Sequence, residues 1–162
     1  YDEELSNVKY SDILKLPYNL KGFFEYEEAL TYSKKNNKPM LLDFTGHGCV
    51  NCRDIESRVW PDDRVRDFLN NKYVLVSLYV DDKTQLPEKD WYTSNYDSKI
   101  KKTIGKQNAD FQITRFNNNA QPFYVVIDPF SEKIVYRPWG YELNVESYIS
   151  HLENGITKFY EE

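Results

Sequence analysis

Among the 162 residues there are only two cysteines and two histidines. Two thiols cannot build the disulfide framework on which small secreted domains rely, and a chain this long buries a core without crosslinks. Soft metal ligands are equally scarce. A structural zinc site wants four, and beyond Cys49 and Cys52 only His47 and His151 remain. Basic residues do not outnumber acidic ones: 21 Lys and Arg against 26 Asp and Glu give a net charge of −5. That argues against nucleic acid as a partner, because phosphate binding wants a basic face. No apolar run approaches the ~18 residues of a membrane helix, so no span is expected in this chain. The opening YDEELSNVKY carries no secretory leader pattern, which by itself fixes no compartment. Internal repeats and low-complexity tracts are missing too.

What is present has globular proportions, 40% hydrophobic and 29% charged, and suits a single domain over 1–162. Residues 1–21 read as a polar arm interrupted by Pro17. The stretch GFFEYEEALTYSKKNNKP reads as a helix, with Glu25, Glu27 and Glu28 early and Lys34, Lys35 and Lys38 late, in keeping with the helix dipole. MLLDFTG is a buried strand. From Cys49 the pattern turns helical, with Cys52, Ile55 and Val59 on one stripe, until Pro61 breaks it. DDRVRDFLNN resumes the helix, and YVLVSLYV is a second strand. Residues 82–105 form a polar insertion with scattered aromatics and a short helix near Lys101. KQNADFQITRF is a helix; PFYVVID and KIVYRPW are strands joined as a hairpin. A last helix starts at the N-cap Asn144 and buries Val145, Tyr148, Ile149, Leu152, Ile156 and Phe159, with Gly155 an unfavourable residue inside it. Alternation of this kind predicts an α/β sheet covered by helices on both faces.

The chemistry concentrates in LLDFTGHGCVNCRDIE. Cys49 falls where a strand hands over to a helix, so outward-pointing N–H groups favour its thiolate and lower its pKa below the free value of ~8.5. Cys52 lies one turn further in, on the apolar stripe. An exposed, acidic sulfur backed by a sheltered one is the arrangement dithiol exchange needs. Asp43 stands within an apolar strand, where burial raises a carboxyl pKa and makes it a candidate proton acceptor for Cys52. Glu56 follows Cys52 by four residues, on the same side of the helix.

Other readings of these residues stay open at this level. C-x-x-C alone fits half a zinc site, and GHGCVNC also resembles the loop with which small copper chaperones hold Cu(I) between two thiolates. Asp43 can be a solvated acid at a strand edge, and Glu56 a solvent-facing residue of an amphipathic helix. His47 and Arg53 read as exposed residues that tune the nearby thiolate at most. Trp91, Tyr92 and Tyr96 either pin the insertion to the body or dock a partner, pinning being the commoner role.

LLDFTGHGCVNC, followed by strand, helix and AQPFYVVID, resembles the thioredoxin superfamily, over about Asn37–Asp81 and Phe111–Phe159. The closer likeness is to the C-terminal thioredoxin-like domains of the DsbD family of thiol:disulfide interchange proteins, through Val50 after the first cysteine and Glu56 after the second. The resemblance implies a three-layer sandwich with a central mixed sheet, Cys49 as nucleophile, Cys52 as resolving thiol and Asp43 and Glu56 as active-site acids. It also implies a cis peptide before Pro122, where residue identity alone allows an edge strand with an ordinary trans bond. Gln121 and Pro122 would hold the partner's chain, with Gly48, Trp139 and Gly140 bordering the groove, although Trp139 fits a core position equally. No cofactor beyond the redox-active Cys49–Cys52 disulfide is expected. The partners implied are disulfide-bearing or dithiol proteins and a membrane-embedded electron donor; the setting is periplasmic or otherwise extracytoplasmic, and the chain is expected to be a monomer. Three positions depart from the thioredoxin pattern: Gly48 in place of Trp, Gln121 in place of Thr or Ile, and Ser77 in place of a lysine near the buried acid.

Overall fold

Strand alternation decides the layers. In the computed structural model, which describes Leu5 and residues 7–161, β1 (Met40–Thr45) and β2 (Val74–Tyr79) are buried along their whole length, as expected for strands covered on both faces. Met40, Leu42 and Phe44 join Val74, Val76 and Leu78 on one side, and Leu41 and Leu75 face the other. β5 (Phe123–Ile127) and β6 (Ile134–Trp139) complete a four-stranded mixed sheet in the order β2-β1-β5-β6. β1 runs parallel to β2 and antiparallel to β5, and β6 is antiparallel to β5 at the edge. Pro138 is tolerated in β6 because an edge strand can spare a donor. A separate antiparallel pair, β3 (Tyr92–Thr93) with β4 (Ile100–Lys101), lies in the insertion.

The helices divide between the two faces. α1 (Tyr26–Asn36) and α4 (Ile104–Phe116) cover the Phe44 side, together with Val8 and Leu14 of the N-terminal arm. α2 (Val50–Arg58), α3 (Asp63–Asp67) and α5 (Val145–Glu161) cover the Leu41 side. The result is the three-layer α/β sandwich of the thioredoxin fold, with cores on both sides of the sheet. The capping is local. Glu25 accepts the N–H groups of Glu27 and Glu28 at the start of α1, and Asn37 ends it in the left-handed region. Asp62 caps α3 beyond the break at Pro61, and Asn144 accepts the Ser147 N–H at the head of α5.

Two details of the chain reading change. Lys101 belongs to strand β4 and not to a short helix: the Asn, Asp and Ser residues of TSNYDS make a turn with Ser98 at φ 63°, and the Lys101 ammonium folds back onto Asp97 at 2.6 Å. α4 starts at Ile104, two residues before the expected Lys106, because Thr103 accepts the Lys106 N–H. Of the arm read over 1–21, residues 1–4 and 6 lie outside the described residues.

Gly155, unfavourable in a helix by propensity, is placed by packing. A Cβ there would stand 2.3 Å from the Tyr73 hydroxyl and 3.0 Å from a Val126 methyl, while that hydroxyl donates to the Leu152 carbonyl at 2.6 Å. Gly155→Ala is therefore expected to cost about 1–3 kcal/mol in urea unfolding, although alanine gains about 1 kcal/mol of helix propensity. In a Tyr73→Phe background the same change should cost far less, a non-additivity readable as a double-mutant cycle.

Candidate active site

The register brings the site's segments to one end of the sheet. β1 runs toward Thr45 and hands over through Gly46–Gly48 to Cys49. Parallel β2 ends beside it, Thr45 opposite Tyr79, and continues into Asp81 and Asp82. Antiparallel β5 begins there, with Phe123 opposite Phe44, so Pro122 stands at the same end. β6 finishes with Trp139 opposite Tyr124 and delivers Gly140 alongside; a Cβ on Gly140 would lie 3.2 Å from the Pro122 carbonyl oxygen.

Cys49 is the N-cap of α2. Its extended backbone (φ −87°, ψ 101°) leaves the helix, and its sulfur accepts the Cys52 N–H at 3.2 Å. The position follows from the sequence: GHG turns the chain, and Val50–Arg58 supplies a helix whose first N–H groups lack internal partners. Cys49 is half-buried and Cys52 fully buried. A disulfide joins them, with Cα atoms 5.3 Å apart.

A clamp absent from the sequence reading holds the turn ahead of Cys49. The Asp81 carboxylate accepts the His47 N–H at 2.7 Å and the Gly48 N–H at 2.9 Å. It approaches so closely that a Cβ on Gly46 would meet it at 3.0 Å. Asp82 accepts from the Thr84 N–H at 2.9 Å and pairs with His47 Nε2 at 2.8 Å, and the His47 ring stacks on Tyr79. Two acids just past a strand parallel to β1 were the available signal, since loops at the carboxyl ends of parallel strands share one edge of the fold.

Asp43 lies directly beneath this end. It alternates with Leu42 and Phe44, so it points to the face that α2 covers, where its register partners are Ser77 and Tyr124. It is 1% exposed, and Ser77 Oγ donates to Oδ2 at 3.0 Å. Burial, and then the charge of Glu56, push its carboxyl up to about 7, against the lowering influence of Ser77 and Arg53. Glu56 is half-buried on α2. Burial raises its pKa too, opposed by Arg53, whose Nη2 donates to Glu56 Oε2 at 2.8 Å and to Thr45 Oγ1 at 3.0 Å. The structure thus gathers Asp43, Cys49, Cys52 and Glu56, and adds Thr45, Ser77 and Arg53 around them.

Gln121 is half-buried, its amide donating to Gln112 Oε1 at 2.8 Å, and the Gln121–Pro122 peptide bond is cis. Gly48 is exposed beside the cysteine turn. Of the two positions left open for Trp139, the groove border and the core, the structure shows the core. A register shift in the β5–β6 ladder leaves both Tyr136 and Trp139 on the α5 side, and the Trp139 ring stacks on Tyr124 and His151 and is 7% exposed. In the insertion, Trp91 Nε1 donates to the Leu86 carbonyl, a bond within the insertion itself, and the Tyr92 hydroxyl donates to Asp110 of α4 and so fastens it to the body, whereas Tyr96 is exposed. Among the described residues no helix is long and apolar enough to cross a membrane, and no three His, Cys, Asp or Glu side chains cluster as metal ligands.

A family model described as thioredoxin-like matches residues 21–129, two-thirds of the chain. The chain therefore belongs to the thioredoxin-like family, as its sheet order and cysteine-capped helix define it. Among solved structures it is similar to a DsbH oxidoreductase, at 21% identity over 89% of this chain and 91% of that one, with a TM-score of 0.62. A thioredoxin from Thermus thermophilus follows at 19% identity, 85% and 88% coverage and a TM-score of 0.61. The reduced C-terminal domain of DsbD from Neisseria meningitidis stands at 13% identity, 80% and 92% coverage and a TM-score of 0.53. No curated protein sequence matches the chain. At these identities the structural likeness establishes the fold.

The Asp43 carboxyl ionises near 3.8 when exposed and near 7 here. Between those values the unfolded chain has released a proton that the folded chain keeps. Stability therefore falls as pH rises from about 4 to about 7 and is level above. Asp43→Asn should remove that slope, leaving the variant about 2–4 kcal/mol more stable than the parent at pH 8 and equal to it near pH 4, measured by urea unfolding of the oxidised protein. Asp81→Ala should speed hydrogen exchange of the His47 and Gly48 amides about tenfold or more and cost about 1–2 kcal/mol, because two charge-assisted hydrogen bonds are lost.

Proposed function

We propose that this protein is a thiol–disulfide oxidoreductase that reduces disulfides of extracytoplasmic partner proteins in a DsbD-like electron relay. One observation carries the reading: an accessible sulfur caps a helix N-terminus while its disulfide partner is sealed behind it. In the reduced protein the Cys49 thiolate attacks a partner disulfide. A mixed disulfide forms and one partner sulfur leaves as a thiol. Cys52 then gives its proton to Asp43 and attacks Cys49; the Cys49–Cys52 bond forms, the mixed disulfide breaks and the second partner thiol is released. The partner gains two electrons and the pair loses two. A dithiol donor, membrane-embedded in such a relay, restores the thiols by the reverse exchange. Glu56 assists Asp43 electrostatically. The backbone of Gln121 and Pro122, at the head of β5, receives the partner's extended chain as an added strand, and Gly48 and Gly140 leave that approach free of side chains.

The surroundings of the pair favour a reductant. Strong oxidants of this class owe their potential to a highly stabilised reduced form. Here Asp43, Glu56 and Asp81 set carboxylates around the cysteines and oppose accumulation of negative charge on sulfur. The likeness of CVNCRDIE to the DsbD domains supports the same direction and the extracytoplasmic setting.

Cys52→Ser should accumulate mixed disulfides through Cys49 with disulfide-bearing proteins, seen as species that collapse on adding a reductant, and Cys49→Ser should accumulate none. Equilibration with glutathione should place the pair nearer thioredoxin, at about −270 mV, than protein disulfide isomerase, at about −180 mV. A potential near about −120 mV, the range of a strong oxidant, would refute the reductant role. Trapping through Cys52 instead of Cys49 would reverse the assignment of nucleophile.

A further inference from the structure

Arg53 follows Cys52 directly, and a charged residue in a first helical turn ordinarily projects into water. This one does not. Its Nη2 reaches back to β1, donating to Thr45 Oγ1 at 3.0 Å, and along α2 to Glu56 Oε2 at 2.8 Å. Thr45 is buried, two residues beyond Asp43 in β1 and on the same face. The guanidinium is thus tied to the strand that carries one acid and to the side chain of the other. The groups that bear on Asp43 come from every element packed around it: Glu56 and Arg53 from α2, Ser77 and Tyr79 from β2, Tyr124 from β5 and Tyr148 from α5. Burial keeps the three phenols neutral, and Ser77 carries no charge. Glu56 and Arg53 are therefore the charged groups of this set, and they act on Asp43 in opposite directions.

We propose that Arg53 is a positioning residue for proton transfer: anchored on Thr45 and Glu56, its guanidinium offsets the charge of Glu56 and so favours the Asp43 carboxylate that takes the proton of Cys52. The inference rests on the role of Asp43 proposed above. Without a cation at this place two acids would share a desolvated corner, and one would hold its proton to higher pH. Arg53 counters that through its bonds to Thr45 and Glu56.

The resolving step isolates the effect. Mixing the reduced protein with excess of a chromogenic aromatic disulfide releases one chromophore as Cys49 attacks and a second as Cys52 closes the pair. The rate of the second release should rise through a midpoint near pH 7 in the parent, the value about which Asp43 loses its proton. Arg53→Gln should move that midpoint up by about one pH unit, Arg53→Lys should hold it within a few tenths, and Glu56→Gln should move it down. In an Asp43→Asn background Arg53→Gln should have no midpoint left to move. Arg53→Gln slowing the second release equally at every pH would show a merely structural role and overturn the proposal. So would a shift that persists without Asp43, or a midpoint that Glu56→Gln leaves in place. A parent protein that releases only one chromophore would instead defeat the dithiol mechanism itself, before Arg53 is in question.

Discussion

A carboxyl group between two apolar strands costs several kcal/mol unless it stays protonated or finds partners, and Asp43 occupies such a place. Its register neighbours are Ser77 and Tyr124, and α2 closes over it. The Ser77 hydroxyl and the Arg53 cation do not offset the desolvation, so the carboxyl is poised about neutral pH. That poise links fold to chemistry. An acid in ordinary water would already be ionised and weakly basic, and one buried without Arg53 and Ser77 would hold its proton through the working range. The arrangement sacrifices some stability to keep a titratable group buried, the kind of local cost that functional sites carry.

Around that group the sheet's topology does the assembling. Parallel β1 and β2 send their carboxyl ends, and antiparallel β5 its amino end, to one edge of the sandwich. The cysteine turn, the Asp81–Asp82 pair and the cis peptide at Pro122 therefore meet without any long excursion. The turn itself is fixed by Asp81, which accepts two successive amides, so the sulfur of Cys49 is presented by a loop with little freedom left. Thioredoxins carry Trp where Gly48 stands; here a carboxylate from the neighbouring strand holds the backbone of that residue.

The segments outside the common core are fastened into the same region. The Tyr18 hydroxyl of the arm donates to the Glu56 carbonyl of α2 at 2.7 Å. The insertion begins at Asp82, whose carboxylate touches both His47 and Thr84. Gly105 admits that close approach, since a Cβ there would stand 2.6 Å from the Asp82 nitrogen. Arm and insertion are thus continuous with the active-site shell, and displacement of either would be felt at α2 or at the cysteine turn.

Much of this was legible in the chain. Apolar runs marked β1, β2, β5 and β6, the stripe of Cys52, Ile55 and Val59 marked α2, and the cysteines fell at a strand-to-helix handover; these are local, periodic signals. The setting of Asp43 followed from its neighbours at 41, 42 and 44, and the identity of the motif from twelve consecutive residues. What was not legible depends on residues far apart in sequence meeting in space. Asp81 clamps a turn more than thirty positions away, Trp139 turns inward where the pairing of β6 with β5 shifts register, and Gly155 is required because Tyr73 lies above it. By sequence Arg53 reads as an exposed helix residue that at most tunes the nearby thiolate, because nothing in the local pattern says that Thr45 and Glu56 stand within its reach. Periodicity determined the elements and the location of the cysteine pair; register and packing decided which side chains hold the cysteine turn and surround Asp43, because those contacts exist only once the sheet has closed.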